Sequence, residues 1–146
     1  EGPAAGAAIG GETVASVMEP LPAPVADTVK LAEAARLLSH SAHGALPVRD
    51  PEGAYLGIVT ARAVTEALAE QPDGAPAVTG DLVETPPRVT TDQQLAHALH
   101  PLLSASGTGL PVLDAERDEP VGWLSHQGAL RSLHPPQNAP TAASPR

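Results

Sequence analysis

A chain of 146 residues with a net charge of −9 and a mean hydropathy of −0.06 is long enough for one domain or two small halves. Its acidic balance, with Lys30 the single lysine, argues against a binder of phosphate backbones, which needs clustered Lys and Arg. One Trp, one Tyr and no Phe leave the core to Ala, Leu and Val and argue against base stacking on single strands, while the lack of Cys excludes disulfides and thiolate metal sites.

No apolar run approaches the roughly 18 residues of a membrane span, and no basic-then-apolar signal peptide opens the chain. Residues 1–11 are rich in Ala and Gly and read as a disordered segment. The chain begins at Glu1 without an initiator Met, which suggests an excised or processed piece of a longer protein. A helical turn is expected over 13–18, stopped before Pro20, and Leu21 to Pro24 (LPAP) is a stiff entry to the first unit. After an extended piece at Val25, a helix is expected over 28–40, with Leu31, Ala34, Ala35 and Leu38 on one apolar face and Asp27 placed as its N-cap. Strands over 45–49 and 55–59 flank the turn Asp50-Pro51-Glu52-Gly53, and a helix over 61–70 closes the unit. Residues 71–79 (QPDGAPAVT) form a linker.

The same order then recurs. A helical turn is expected over 80–84, an extended piece at Val89, and a helix over 92–104 with Thr91 as N-cap. Pro101 lies inside that helix and removes the bond to the carbonyl of His97, so a kink or early end is expected. Strands over 110–113 and 120–124 flank the turn Asp114 to Glu119, a helix over 126–133 comes next, and 135–146 read as a disordered tail.

The recurrence is a sequence repeat. Leu46-Pro47-Val48 matches Leu110-Pro111-Val112 at an offset of 64, and the helix faces keep that offset. After one inserted turn residue, Gly57-Ile58-Val59-Thr60 matches Gly122-Trp123-Leu124-Ser125 at 65. Before the helices, Thr13 and Val17-Met18-Glu19-Pro20 match Thr79 and Val83-Glu84-Thr85-Pro86 at 66. The fold class is therefore α+β: two β-α-β-β-α units, 12–70 and 80–134, that bury their apolar faces against each other.

Few residues stand out for chemistry. Thr60 and Ser125 precede helices and serve first as N-caps, with ligand contact open in addition. Arg62 in a first helical turn is disfavoured by the dipole unless an anion binds, and a solvated Arg is the plainer reading. His126 and Gln127 replace it in the second unit. Gly107-Thr108-Gly109 lacks the third glycine of a dinucleotide loop and reads as a turn into a strand. His40 with His43, and His97 with His100, have i, i+3 spacing, but no carboxylate or Cys completes a metal site, so they read as solvated. Trp123 belongs to core or dimer packing, and the carboxylates of Asp114 to Glu119 to a solvated rim. No P-loop, HExxH, G-x-S-x-G or cysteine nucleophile points to catalysis.

The ordered set "VxxVMEP", helix, "GALPV", "GIVT", helix, written twice over about residues 12–134, resembles a tandem pair of CBS domains, a Bateman module. The resemblance implies a pseudo-twofold disc, a homodimer of pairs, and a regulatory role in a larger host. It also implies clefts between the repeats for adenosine compounds: ATP, ADP, AMP or S-adenosylmethionine. Thr60 and Ser125 match the hydroxyl position of the family's binding motif, followed by Arg62 and His126, while Leu46, Pro47, Thr108 and Gly109 border the clefts. The Asp that holds ribose three residues after the hydroxyl is Ala63 in one repeat and Gly128 in the other, a departure that weakens adenosine binding. The end of the second repeat, VGWLSHQGALRSLH, resembles the cytoplasmic tails of bacterial CLC-type chloride channels and transporters. That host implies a module on the cytoplasmic face, tethered to the membrane without inserting in it and with no nucleic-acid partner. A segment of a nucleotide-metabolism enzyme, an orphan sensor acting through a partner protein, and a ligand-free dimer clamp stand beside this reading.

Overall fold

The computed structural model describes residues 12–71, 77–105 and 107–133. The two segments expected to be disordered, and the middle of the linker, lie outside the described residues. The elements run α1 (Val14–Val17), β1 (Val25–Ala26), α2 (Leu31–Ser39), β2 (Ala45–Arg49), β3 (Tyr55–Thr60) and α3 (Ala61–Glu70). A 3-10 turn (Thr79–Leu82) leads to α4 (Leu95–Leu103), β4 (Leu110–Leu113), β5 (Pro120–Leu124) and α5 (His126–Leu133). The mixed α+β class and the two hairpins agree with the sequence patterning.

Each hairpin is antiparallel, with Leu46 opposite Val59 and Leu110 opposite Leu124. The Asp50 carboxylate accepts from the amides of Glu52 and Ala54, and the Asp114 carboxylate from those of Glu116 and Arg117. These Asx turns explain why an Asp opens both loops. β1 pairs in parallel with β2. The second unit keeps that pairing as a single parallel bridge between Thr90 and Leu113.

The helices begin later than Asp27 and Thr91 imply. Lys30 and Gln94 occupy the N-cap positions, with no side-chain capping bond. Residues 27 and 91 instead use their backbone carbonyls: Asp27 accepts from the amide of Gly80 and Thr91 from that of Ala15. The donors come from the opposite repeat, so the entry segments are exchanged. Val14 of α1 is fully buried in the core built by Leu95, Ala98, Leu110 and Leu124. Conversely, Leu82 and Val83 pack on the core of Leu31, Ala34, Val48 and Val59. A buried Leu or Val stabilises by about 1.5–3 kcal/mol, so each repeat depends on the other's entry segment.

The exchange continues into the sheets. Glu19 and Trp123 exchange both backbone hydrogen bonds, at 2.7 and 2.9 Å, and Glu84 and Ile58 do the same at 2.8 and 2.9 Å. Glu19 and Glu84 are therefore structural mates at an offset of 65. This corrects the 66 taken from the prolines, because backbone pairing, and not Pro20 against Pro86, fixes the register. The apolar faces of α2 and α4 point inward as expected, with Ala35 and Leu99 only partly buried. α4 runs through Pro101 and ends two residues later at Leu103.

Candidate functional site

The exchange creates two clefts that correspond across the repeats. The first, about 390 Å³, lies between the stiff segment Pro20 to Pro24 and the loop His40 to His43, floored by Leu37 and Leu46. The second, about 270 Å³, lies between Glu84 to Pro87 and the loop carrying Thr108, Gly109 and Leu110, with Ile58 at its edge. The first is at the small end of ligand sites, which run from roughly 300 to 1,000 Å³, and the second falls just below that range.

Behind His43 at the first cleft stands Trp123, fully buried with Ala45 and Ile58. Its indole N–H donates to the Thr108 carbonyl at 2.7 Å. The His43 ring stacks on it with centroids 5.4 Å apart and an angle of 14°. His43 is thus packed between the repeats and not solvated, because the indole face covers it; its side chain is 12% exposed. His97 and His100 are exposed, and His40 Nδ1 lies 3.0 Å from the Arg36 carbonyl. Among the described residues no three His, Asp or Glu side chains converge on a metal position.

The two hydroxyls differ. Thr60 caps α3, its Oγ1 accepting from the Ala63 amide at 3.1 Å. Arg62 projects into solvent and pairs with Glu66 at 3.0 Å. Ser125 accepts from the Gly128 amide at 2.9 Å and donates to Glu19 Oε2 at 2.5 Å. Glu19 Oε1 lies 3.7 Å from His43 Nε2, and Oε2 lies 3.8 Å from an Arg131 nitrogen. His126 is half-buried, and its Nδ1 has no hydrogen-bond partner among the described residues.

Of the residues expected at a site, Leu46 lines the first cleft and Thr108 and Gly109 the second. Pro47 is buried in β2 opposite Ile58 and lines neither. Glu19 was missed, because it was read only as part of the turn before Pro20; its signal was the Glu84 one structural repeat later. The rim carboxylates are also more engaged than expected. Glu119 pairs with Arg49 across the repeats at 3.1 Å, and Asp118 with Arg88 at 2.7 Å, so neither is merely solvated.

Residues 14–70 match the family model described as "CBS domain". The crystal structure of CBSX2, a CBS-pair protein from Arabidopsis thaliana, matches with a TM-score of 0.71 at 25% identity, over 90% of this chain and 99% of that one. The chain is similar in fold to a CBS-domain pair, and the family model matches its first repeat. CBSX2 in complex with AMP matches this chain with a TM-score of 0.67 at 26% identity, over 83% of this chain and 95% of that one. Two further structures share the fold at 16% identity: CbpB in complex with c-di-AMP, TM-score 0.70 over 91% of each chain, and the CBS domain of a bacterial CNNM/CorC family Mg2+ transporter in complex with ATP, TM-score 0.69 over 85% of this chain and 88% of that one. A search of curated protein sequences finds no match.

Proposed function

We propose that this chain is a CBS pair, a non-catalytic regulatory module that takes an adenosine nucleotide in the second cleft, beside Thr60. The observation that carries the reading is the likeness, at 26% identity over 83% of the chain, to a CBS pair that holds AMP. The chemistry of the cleft supports it. Ile58 lines the cleft, and Thr60 stands two residues further along the same strand, so both side chains face one way. The Thr60 hydroxyl has a proton to donate, and Arg62 lies in the first turn of a ten-residue helix, where an anion offsets the cost of a cation. Without a carboxylate at Ala63 the ribose loses a charge-assisted bond, which weakens binding by about 10- to 100-fold.

The test is calorimetric titration of the purified chain with AMP, ADP, ATP and S-adenosylmethionine. Weak binding that is abolished by T60A and reduced by R62A supports the proposal. Silence from all four at millimolar concentration sinks it. A ligand-free dimer clamp would then remain, favoured by the exposed apolar residues Leu56 and Val121, which are mates across the repeats, and read out by sedimentation. For the host we propose a membrane transport protein of the chloride-channel type, with the pair as a homodimer on its cytoplasmic face. This rests on the resemblance at the end of the second repeat, and the gene sequence before Glu1 tests it: apolar spans support it, a catalytic barrel overturns it. Among the described residues no helix is long and apolar enough to cross a membrane.

A further inference from the structure

We infer that Glu19 occupies, beside the first cleft, the position that Thr60 leaves open beside the second, so that the two clefts are not equivalent and Glu19 shuts the first to a nucleotide. The inference rests on the adenosine reading above for the class of ligand, and on the geometry of Glu19 for the rest.

Glu19 is fixed at the Ser125 end of β5 by its two backbone bonds to Trp123. From there its side chain spans the two residues to Ser125 and takes that hydroxyl's single proton. The Ser125 oxygen already accepts from Gly128, so the hydroxyl has no donor left for a phosphate or ribose. The carboxylate also lies beside the Gly128 backbone: a Cβ at 128 would stand 3.2 Å from Glu19 Oε2. An incoming phosphate would meet this negative charge at contact distance, a juxtaposition that strongly disfavours binding.

The other repeat keeps the backbone pairing and the cap but lacks the side-chain contacts of this arrangement. Glu84 has the same backbone pairing as Glu19, yet its side chain is exposed and makes no bond to Thr60. The mates of Glu19's three neighbours explain why. Gly128 corresponds to Ala63, and a Cβ at this position is tight against a carboxylate placed as that of Glu19 is. Arg131 corresponds to Glu66, which repels a second carboxylate and pairs with Arg62. His43 corresponds to Gly107, which offers no side chain. Attraction has become repulsion, and the cleft is left open.

Release of Glu19 should therefore create a binding capacity the native chain lacks. The test is AMP titration of the full chain, with stoichiometry as the readout, in wild type, E19A and E19Q. E19Q keeps the length and the bond to Ser125 but removes the charge, and so covers the case in which E19A folds poorly. The expected result is one more AMP per chain in E19A than in wild type, lost again in E19A/S125A, and a weaker second event in E19Q. Two AMP per wild-type chain would overturn the inference. So would variants, folded by circular dichroism, that bind no more AMP than wild type. A wild type that binds no AMP beside an E19A that binds one would end the reading of the Thr60 cleft and leave the Glu19 inference standing.

Discussion

Gly57 lies against the carbonyl oxygen of Glu84, where the exchanged entry strand crosses β3. A Cβ at this position would collide with that oxygen and stand 2.8 Å from Val83 Cγ1. Its φ of +144° adds a conformation that side chains rarely adopt. The mate, Gly122, faces Met18, whose Sδ would be 2.5 Å away and whose thioether can swing aside, with the Glu19 carbonyl at 3.1 Å. G57A is therefore expected to destabilise by about 2–3 kcal/mol and G122A by about half as much. Urea unfolding of the two variants checks this: equal losses would mean that the crossing is not rigid backbone at Gly57.

Trp123 joins the two halves, and it is the single tryptophan of the chain. Truncation to Ala in a closed core costs about 3–5 kcal/mol. W123F keeps most of the apolar area but leaves the Thr108 carbonyl without its donor, a loss of about 1–3 kcal/mol. Both variants are checked by chemical unfolding monitored by circular dichroism. In the native chain, tryptophan emission should shift to longer wavelength at the same denaturant concentration, because the indole is buried where both cores meet.

Periodicity made the helices and hairpins legible, since Leu31 to Leu38 and Leu95 to Leu102 satisfy the helical pattern locally and Asp50 and Asp114 mark turns by local chemistry. The exchange of entry segments was not legible, because the partners of Val14 and Leu82 lie in the opposite repeat and no local pattern encodes them. The same non-locality displaced the expected caps: Asp27 and Thr91 are bonded through carbonyls to residues far along the chain. At the site, Thr60 and Ser125 were found from their place before a helix. Glu19 was not, because 106 residues separate it from Ser125.

Two groups tie stability to pH with opposite signs. The amides of Glu116 and Arg117 hold the Asp114 carboxyl below the usual carboxylate range. Its folded value is depressed, so its contribution is present above the unfolded pKa and is lost as pH falls through the folded value. D114N, which keeps the acceptor oxygen, should flatten that acid limb. Burial pushes the Tyr55 hydroxyl up from 10.0 to about 12, against the opposing pull of Arg49. A raised folded value gives stability that is full below the unfolded pKa and declines as pH rises from 10.0 towards about 12. Y55F should lack this alkaline decline. Thermal midpoints across both ranges, wild type against each variant, are the measurement.

The two caps should differ in cost although their roles in the helix are the same. T60A removes one bond, from the Ala63 amide, and an N-cap of this kind is worth about 1 kcal/mol. S125A removes the corresponding bond from Gly128 and also the hydroxyl that satisfies Glu19 Oε2. The Glu19 side chain is 31% exposed, so the carboxylate recovers some hydration and the extra cost is about 1 kcal/mol rather than the full penalty of a buried charge. A double-mutant cycle between Glu19→Ala and Ser125→Ala isolates the pair. A coupling of about 0.5–1.5 kcal/mol is expected, and the same cycle between Glu84→Ala and Thr60→Ala should give none. Equal couplings in both repeats would mean that Glu84 reaches Thr60 in solution, and the asymmetry between the clefts would fail with it.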